Sequence, residues 1–138
     1  MRIRFGIICC MIVMIMLSAC AKSGDLNIKT NNIDDIVVEV SIDEAKDLID
    51  ETMDLIILDV RTEEEYNEGH IKGAILIPYD KIAEREKDIE GLIDKSILVY
   101  CRTGRRSALA IESLKEYGFP RIYHMHEGIS KWTYDLEK

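Results

Sequence analysis

The chain has 138 residues, enough for one domain, and its 47% hydrophobic and 32% charged residues give an ordinary globular balance rather than a disordered one. Its formal net charge is −8. A surface of that sign repels nucleic-acid phosphates and offers no polybasic patch to a membrane, so an anionic substrate would need a local positive site inside a negative field.

Residues 1–20 read MRIRFGIICCMIVMIMLSAC. Arg2 and Arg4 precede thirteen largely apolar residues, Phe5 to Leu17, a length that suits the core of a signal peptide and falls short of the ~20 residues of a spanning helix. Leu17-Ser18-Ala19-Cys20 matches the bacterial lipoprotein box. Residues 1–19 are therefore expected to be a cleaved leader, and Cys20 the lipidated N-terminus of an extracytoplasmic, membrane-anchored protein. The competing reading is an uncleaved anchor helix. The polar, aperiodic stretch up to residue 33 reads as a flexible tether, which leaves 34–138 as the domain. Without the two leader arginines the 18 basic residues fall to 16 against 26 acidic ones. Cys9 and Cys10 go with the leader, and Cys101 remains as the lone free thiol, either buried and inert or kept for its reactivity.

The β-branched run 36–40 predicts a strand, and Ser41 with Glu44 has capping-box spacing for a helix through about residue 50. Residues 55–60 form an unbroken apolar run of strand length, as in a strand buried on both faces. A short acidic helix over 63–67 stops at Gly69, and 74–77 is another short strand, ended by Pro78. Helix is predicted over about 80–92, strand over 97–100, helix over 107–117 ahead of Gly118 and Pro120, a brief strand over 121–124, and a last helix over 128–136. Strands alternating with helices predict an α/β fold, an open parallel sheet of about five strands with helices on both faces. Ligands of such sheets bind beyond the carboxyl ends of the strands, which directs attention to the residues after Val60, Ile77 and Tyr100.

Tyr100 is followed by Cys101-Arg102-Thr103-Gly104-Arg105-Arg106-Ser107, running into a helix. A cysteine at a strand end, a loop able to turn its N–H groups inward, a helix N-terminus and three arginines all favour the thiolate. The plainer reading is a buried cysteine ahead of a helix whose arginines face water; the glycine turn and the arginine density argue against it.

These residues resemble the rhodanese homology family. Its hallmark is a strand ending in cysteine, a short cradle loop and a helix, and 101–106 looks like the six-residue sulfurtransferase version. Asp59-Val60-Arg61, Glu64-Glu65-Tyr66 and Gly69-His70-Ile71-Lys72-Gly73-Ala74 are similar to the family's upstream signature, and Gly128 with Trp132 to its C-terminal one. The resemblance spans 36–136. It implies a rhodanese-like fold and sulfur transfer through a Cys101 persulfide, from an anionic donor such as thiosulfate to a thiol or cyanide. It also implies a cradle of Arg102, Thr103, Gly104, Arg105 and Arg106, with Arg61 beside it. The phosphatases and arsenate reductases of this fold carry a longer loop with arginine six positions after cysteine; here that position is Ser107. Leu76 stands where asparagine is usual, and Glu127 where a paired glycine precedes Gly128. The alternative within the family is a non-catalytic persulfide carrier or partner-binding module at the membrane surface.

Of the remaining polar residues, Asp59 is expected in a structural ion pair, His70 in a hydrogen-bonded turn, and the acidic run 63–65 on a solvated helix turn. His124 and His126 share a strand face by period-2 geometry, but with no third ligand evident a metal site is not expected, nor is a cofactor. Trp132 and Tyr134 read as core and rim. The expected partners are the sulfur donor, a thiol acceptor and the membrane through the lipid, with no nucleic acid; the domain is expected to be a monomer.

Overall fold

The computed structural model describes residues 36–138; the expected leader, Cys20 and the whole of the expected tether lie outside the described residues. The elements run β1 (Val37–Val40), α1 (Ile42–Glu51), β2 (Ile56–Asp59), α2 (Glu63–Glu68), β3 (Ile75–Leu76), α3 (Glu86–Glu90), β4 (Ile97–Tyr100), α4 (Arg105–Glu116) and β5 (Ile122–Met125), with single 3₁₀ turns at Tyr79–Lys81, Ala83–Arg85 and Ile129–Lys131. The five strands form one parallel sheet in the order β1-β5-β4-β2-β3.

The continuous apolar runs are explained by two cores. In β4, Ile97 and Val99 face one core while Leu98 and Tyr100 face the other, so every position of the strand is buried although the side chains alternate. The first core is closed by Ile89 of α3 and by Ala110, Ile111 and Leu114 of α4. The second is closed by Ile42 and Ala45 of α1 and by Ile129. Full burial of a side chain such as Leu98 or Leu114 contributes about 1.5–3 kcal/mol.

The Ser41–Glu44 capping box forms as read, and a second one, Thr62 with Glu65, opens α2. Three expectations need correction. Residues 80–92 are not one helix but two 3₁₀ turns and the short α3. None of their starts has a side-chain cap. Their ion pairs, Lys81–Glu84 and Arg85–Asp88, are spaced i,i+3, a spacing that a 3₁₀ turn brings into register. Helix α4 begins at Arg105 rather than Ser107, because the left-handed turn at Gly104 (φ 89°) redirects the chain two residues earlier. The last helix is absent beyond Ile129–Lys131. Instead the chain extends alongside the loop before β3, where His70 and Glu137 exchange both backbone hydrogen bonds at 2.9 Å. The Tyr134 hydroxyl also donates to Asp43 of α1 at 2.7 Å. Among the described residues no helix is long and apolar enough to cross a membrane.

Candidate active site

Cys101 follows β4 directly, 1% exposed. The loop after it is held from outside by its carbonyls. Ile129 N–H donates to Cys101 O at 2.8 Å, Ser130 N–H to Arg102 O at 3.0 Å, and Ala108 N–H to Gly104 O at 3.0 Å. With the carbonyls drawn outward, the N–H groups converge on the sulfur, as in an anion-binding nest. Gly104 N–H donates to Sγ at 3.2 Å, and the N–H groups of Thr103, Arg106 and Ser107 add to the stabilisation of the thiolate. A side chain at Gly104 has no room, since its Cβ would lie 1.9 Å from His126 O.

Helices α1 and α2 each occupy their first N–H groups with a capping box, whereas α4 has no side-chain cap at all. Its first-turn donors at Arg106 and Ser107 are aimed at Cys101 instead. Burial alone pushes the Cys101 thiol up, but the Ser107 hydroxyl and the N–H groups of Ser107, Thr103 and Arg106 outweigh it and hold the thiol below its ordinary value. Of the expected causes, the hydrogen-bond donors of the loop and helix start lead, with the Ser107 hydroxyl foremost among them, and of the three arginines Arg106 is the one coupled to the sulfur.

The arginines divide into three kinds. Arg102 and Arg105 are exposed and form no ion pair with the described residues. Arg106 reaches across to Glu65 of α2 in a bidentate pair, at 2.6 and 2.8 Å, while its charge also lies within reach of Cys101. The Arg106 guanidinium holds the Glu65 carboxyl down to about 2. Glu65 is therefore no merely solvated member of an acidic turn. Arg61 is 6% exposed and committed to Asp59, at 2.6–3.0 Å, and to Gly69 O at 2.8 Å. It lines a cleft of ≈380 Å³ with Arg102, Glu65, Gly69 and Ser130. Arg105, Arg106 and Thr103 border a second hollow of ≈390 Å³ with Tyr79 and Leu109. A larger one of ≈650 Å³ lies between α1 and the C-terminal segment at Trp132 and Tyr134, and Cys101 is in the walls of none of the three.

Ser107, His124 and Glu39 complete the surroundings of the sulfur. The Ser107 hydroxyl, fully buried, lies 3.5 Å from Sγ, 2.8 Å from His124 Nε2 and 2.9 Å from Gly104 O. His124 Nδ1 is 2.9 Å from Glu39 Oε1. The period-2 reading put His124 and His126 on one side of their strand, and both do approach Glu39, but the signal for the inward contact was only Ser107's place in the first turn of a helix after cysteine. Among the described residues no three potential metal ligands cluster. His70 binds Tyr66 O through Nδ1 at 3.0 Å and stacks on the Tyr66 ring. Of the two departures from the family pattern, the Glu127 carboxylate accepts from Ile42 N–H at the start of α1 at 3.2 Å, and Leu76 is half-buried in β3.

The rhodanese-like domain profile matches residues 41–135. The chain belongs to the rhodanese-like family. It is 33% identical over 97 residues to a putative sulfur carrier protein, YrkF, of Bacillus subtilis, covering 70% of this chain and 51% of that one. It is 30% identical over 98 residues to a sulfurtransferase of Allochromatium vinosum, covering 71% and 90%. A rhodanese-like domain protein of Staphylococcus aureus superposes with a TM-score of 0.64 at 31% identity, over 72% of this chain and 95% of that one. Some relatives are much longer: the chain spans about half the length of YrkF and about a quarter of the probable adenylyltransferase/sulfurtransferase MoeZ of Mycobacterium tuberculosis. The α/β fold is that of the family's solved structures, and the relatives it matches include proteins named as a putative sulfur carrier and a sulfurtransferase.

Proposed function

We propose that this domain is a sulfurtransferase working by double displacement through a persulfide on Cys101. The observation that carries the reading is the ring of N–H donors closed around Sγ at the uncapped start of α4. The Cys101 thiolate attacks the sulfane sulfur of a thiosulfate-like donor. The donor's S–S bond breaks, sulfite leaves with the bonding pair, and the terminal persulfide sulfur carries the negative charge within the N–H ring. A thiolate or cyanide acceptor then attacks that sulfur and Cys101 departs as thiolate. Arg102 and Arg105, exposed beside the loop, attract the anionic donor into an otherwise acidic surface. Thr103 and Gly104 serve through their backbone. Arg106, with its partner Glu65, keeps a fixed position at the rim. Arg61 holds the loop wall through Asp59 and Gly69 rather than offering a free charge. Because the thiol lies below its ordinary value, transfer should persist at pH values where a free cysteine is protonated.

The test is mass spectrometry after exposure to thiosulfate, with Cys101→Ser as partner. The parent should gain one sulfur atom and turn over thiosulfate with cyanide, while the variant does neither and unfolds like the parent. Sulfur gain in Cys101→Ser would remove Cys101 from the role. The likeness to a protein named as a putative sulfur carrier favours a second reading, in which the persulfide forms but turns over only with a protein partner; stoichiometric loading without cyanide turnover would select it. For either reading we further propose, from Leu17-Ser18-Ala19-Cys20 alone, that a lipid on Cys20 holds the domain outside the cytoplasm.

A further inference from the structure

Residues Glu39, His124, Ser107 and Cys101 stand in one line of contacts: 2.9 Å from Glu39 Oε1 to Nδ1, 2.8 Å from Nε2 to Ser107 Oγ, and 3.5 Å from Oγ to Sγ. His124 is 6% exposed and Ser107 is fully buried. The four come from β1, β5, α4 and the end of β4, so the fold rather than local sequence assembles them.

The chemistry of the partners fixes most of the hydrogens. An ionised carboxylate only accepts, so Nδ1 of His124 carries a proton toward Glu39. Nε2 then has two possible states. In the neutral ring it accepts the Ser107 hydroxyl, and the Ser107 oxygen is left to accept from the Cys101 S–H. In the charged ring Nε2–H donates to Ser107 Oγ, with Gly104 O at 3.2 Å as a second acceptor, and the Ser107 hydroxyl turns to the sulfur. No heavy atom has to move between the two patterns; only the direction of the hydrogen bonds reverses.

Resting on the reading of Cys101 as the nucleophile, we propose that His124, backed by Glu39, is a positioning residue that takes up the Cys101 proton through Ser107 and turns the Ser107 hydroxyl onto the sulfur. The step balances without a redox partner. The Cys101 S–H bond breaks as its proton moves to Ser107 Oγ, while the Ser107 proton moves to Nε2, giving a thiolate, a neutral hydroxyl and an imidazolium paired with Glu39. The Ser107 hydroxyl is the foremost of the donors that hold the thiol below its ordinary value, in keeping with this direction. The charged and titratable groups facing His124 in this network are Glu39 from β1 and Cys101 across Ser107. His126, with Nδ1 3.7 Å from Glu39 Oε2, and Glu44 of α1 beside His126 act at one remove.

The experiment reads Cys101 alkylation by iodoacetamide against pH in the full chain, with no sulfur donor present. His124→Phe keeps a planar ring but no nitrogens. Its profile should move about one pH unit upward, roughly tenfold slower on the acid limb, and Ser107→Ala should do the same. The double variant should move no further than Ser107→Ala alone, because His124 acts only through that hydroxyl. Glu39→Gln, at a residue 61% exposed on its side chain and hence outside the core, should shift the profile the same way by less; it carries the test should His124→Phe fail to fold. Superposed profiles for parent and Glu39→Gln or His124→Phe, or additive shifts in the double variant, would overturn the relay and leave Ser107 with a structural bond to Gly104 O. Absence of persulfide from the thiosulfate-treated parent would instead overturn the proposed activity and leave this result standing.

Discussion

Substituting alanine at Gly104 tests whether the loop geometry, and not the cysteine alone, makes the site. Two penalties are separable. The φ of 89° is left-handed, which costs a residue with a Cβ about 1–2 kcal/mol. The added Cβ would lie 1.9 Å from His126 O, against 3.4 Å for ordinary contact, so the loop and the end of β5 must part by about 1.5 Å, with an overpacking cost of about 1–3 kcal/mol. Together the variant should lose about 2–5 kcal/mol. The same movement draws Gly104 N–H away from Sγ, now 3.2 Å off, and a displacement of about 1 Å costs on the order of a hundredfold in rate. Gly118→Ala is the control: φ is 83°, but nothing lies within 4 Å of the new Cβ, so it should lose only about 1–2 kcal/mol and transfer sulfur at the parent rate. Urea unfolding and thiosulfate–cyanide turnover on the three proteins decide the matter. If Gly104→Ala behaves like Gly118→Ala in both assays, the close approach of the loop to β5 does not organise the sulfur site.

Glu65→Gln addresses the clamp on Arg106. Glu65 falls from an ordinary 4.5 to about 2 in the folded protein, so its contribution to stability is complete above about pH 4.5 and disappears as pH falls toward 2. Allowing for solvent around a pair with 19% and 25% of its side chains exposed, the contribution is about 1–2 kcal/mol. Unfolding followed at neutral pH and near pH 3 should therefore show a deficit for the variant that narrows in acid, and a constant deficit would exclude the pair as its source. Cys20→Ala tests the proposed lipidation: the variant should leave the membrane fraction and lack the mass of an acyl group, and unchanged fractionation would favour an N-terminal anchor helix.

The fold was legible where one segment alone determines its environment. Residues 56–59 and 97–100 have no polar alternation before Asp59, which only a strand covered on both faces requires, and both lie between two cores. Ser41 and Glu44 formed the capping box their spacing implied. The reading failed where distant partners decide. Residues 128–136 read as a helix, but past Ile129–Lys131 the chain extends, with Glu137 paired to His70 and Tyr134 to Asp43, 91 positions away. Residues 80–92 hold charges in abundance but no cap, and local spacing could not tell one helix from successive turns that seat Ile82 and Ile89 on the core.

The same division runs through the site. The cysteine, the glycine and the loop were visible because cradle and nucleophile are contiguous in sequence. The partner of Arg106 lies 41 positions upstream and that of His124 lies 85, and no local pattern announces either. Those distant pairings bear on what the cradle would hold. A dianionic oxyanion needs charge to match it, yet Arg106 already has its charge balanced by Glu65, and Arg61 by Asp59. The donors closest around Sγ are N–H dipoles and one hydroxyl, without net charge, and the Arg106 cation within reach of the sulfur is already paired. Such a ring suits a single diffuse negative charge on sulfur better than a phosphate. The free charges, Arg102 and Arg105, stand at the exposed mouth, where they attract an incoming anion without adding a fixed positive charge beside the sulfur. On the proposed reading, the Glu65–Arg106 and Asp59–Arg61 pairs would turn an arginine-rich loop into a site for a monoanionic persulfide.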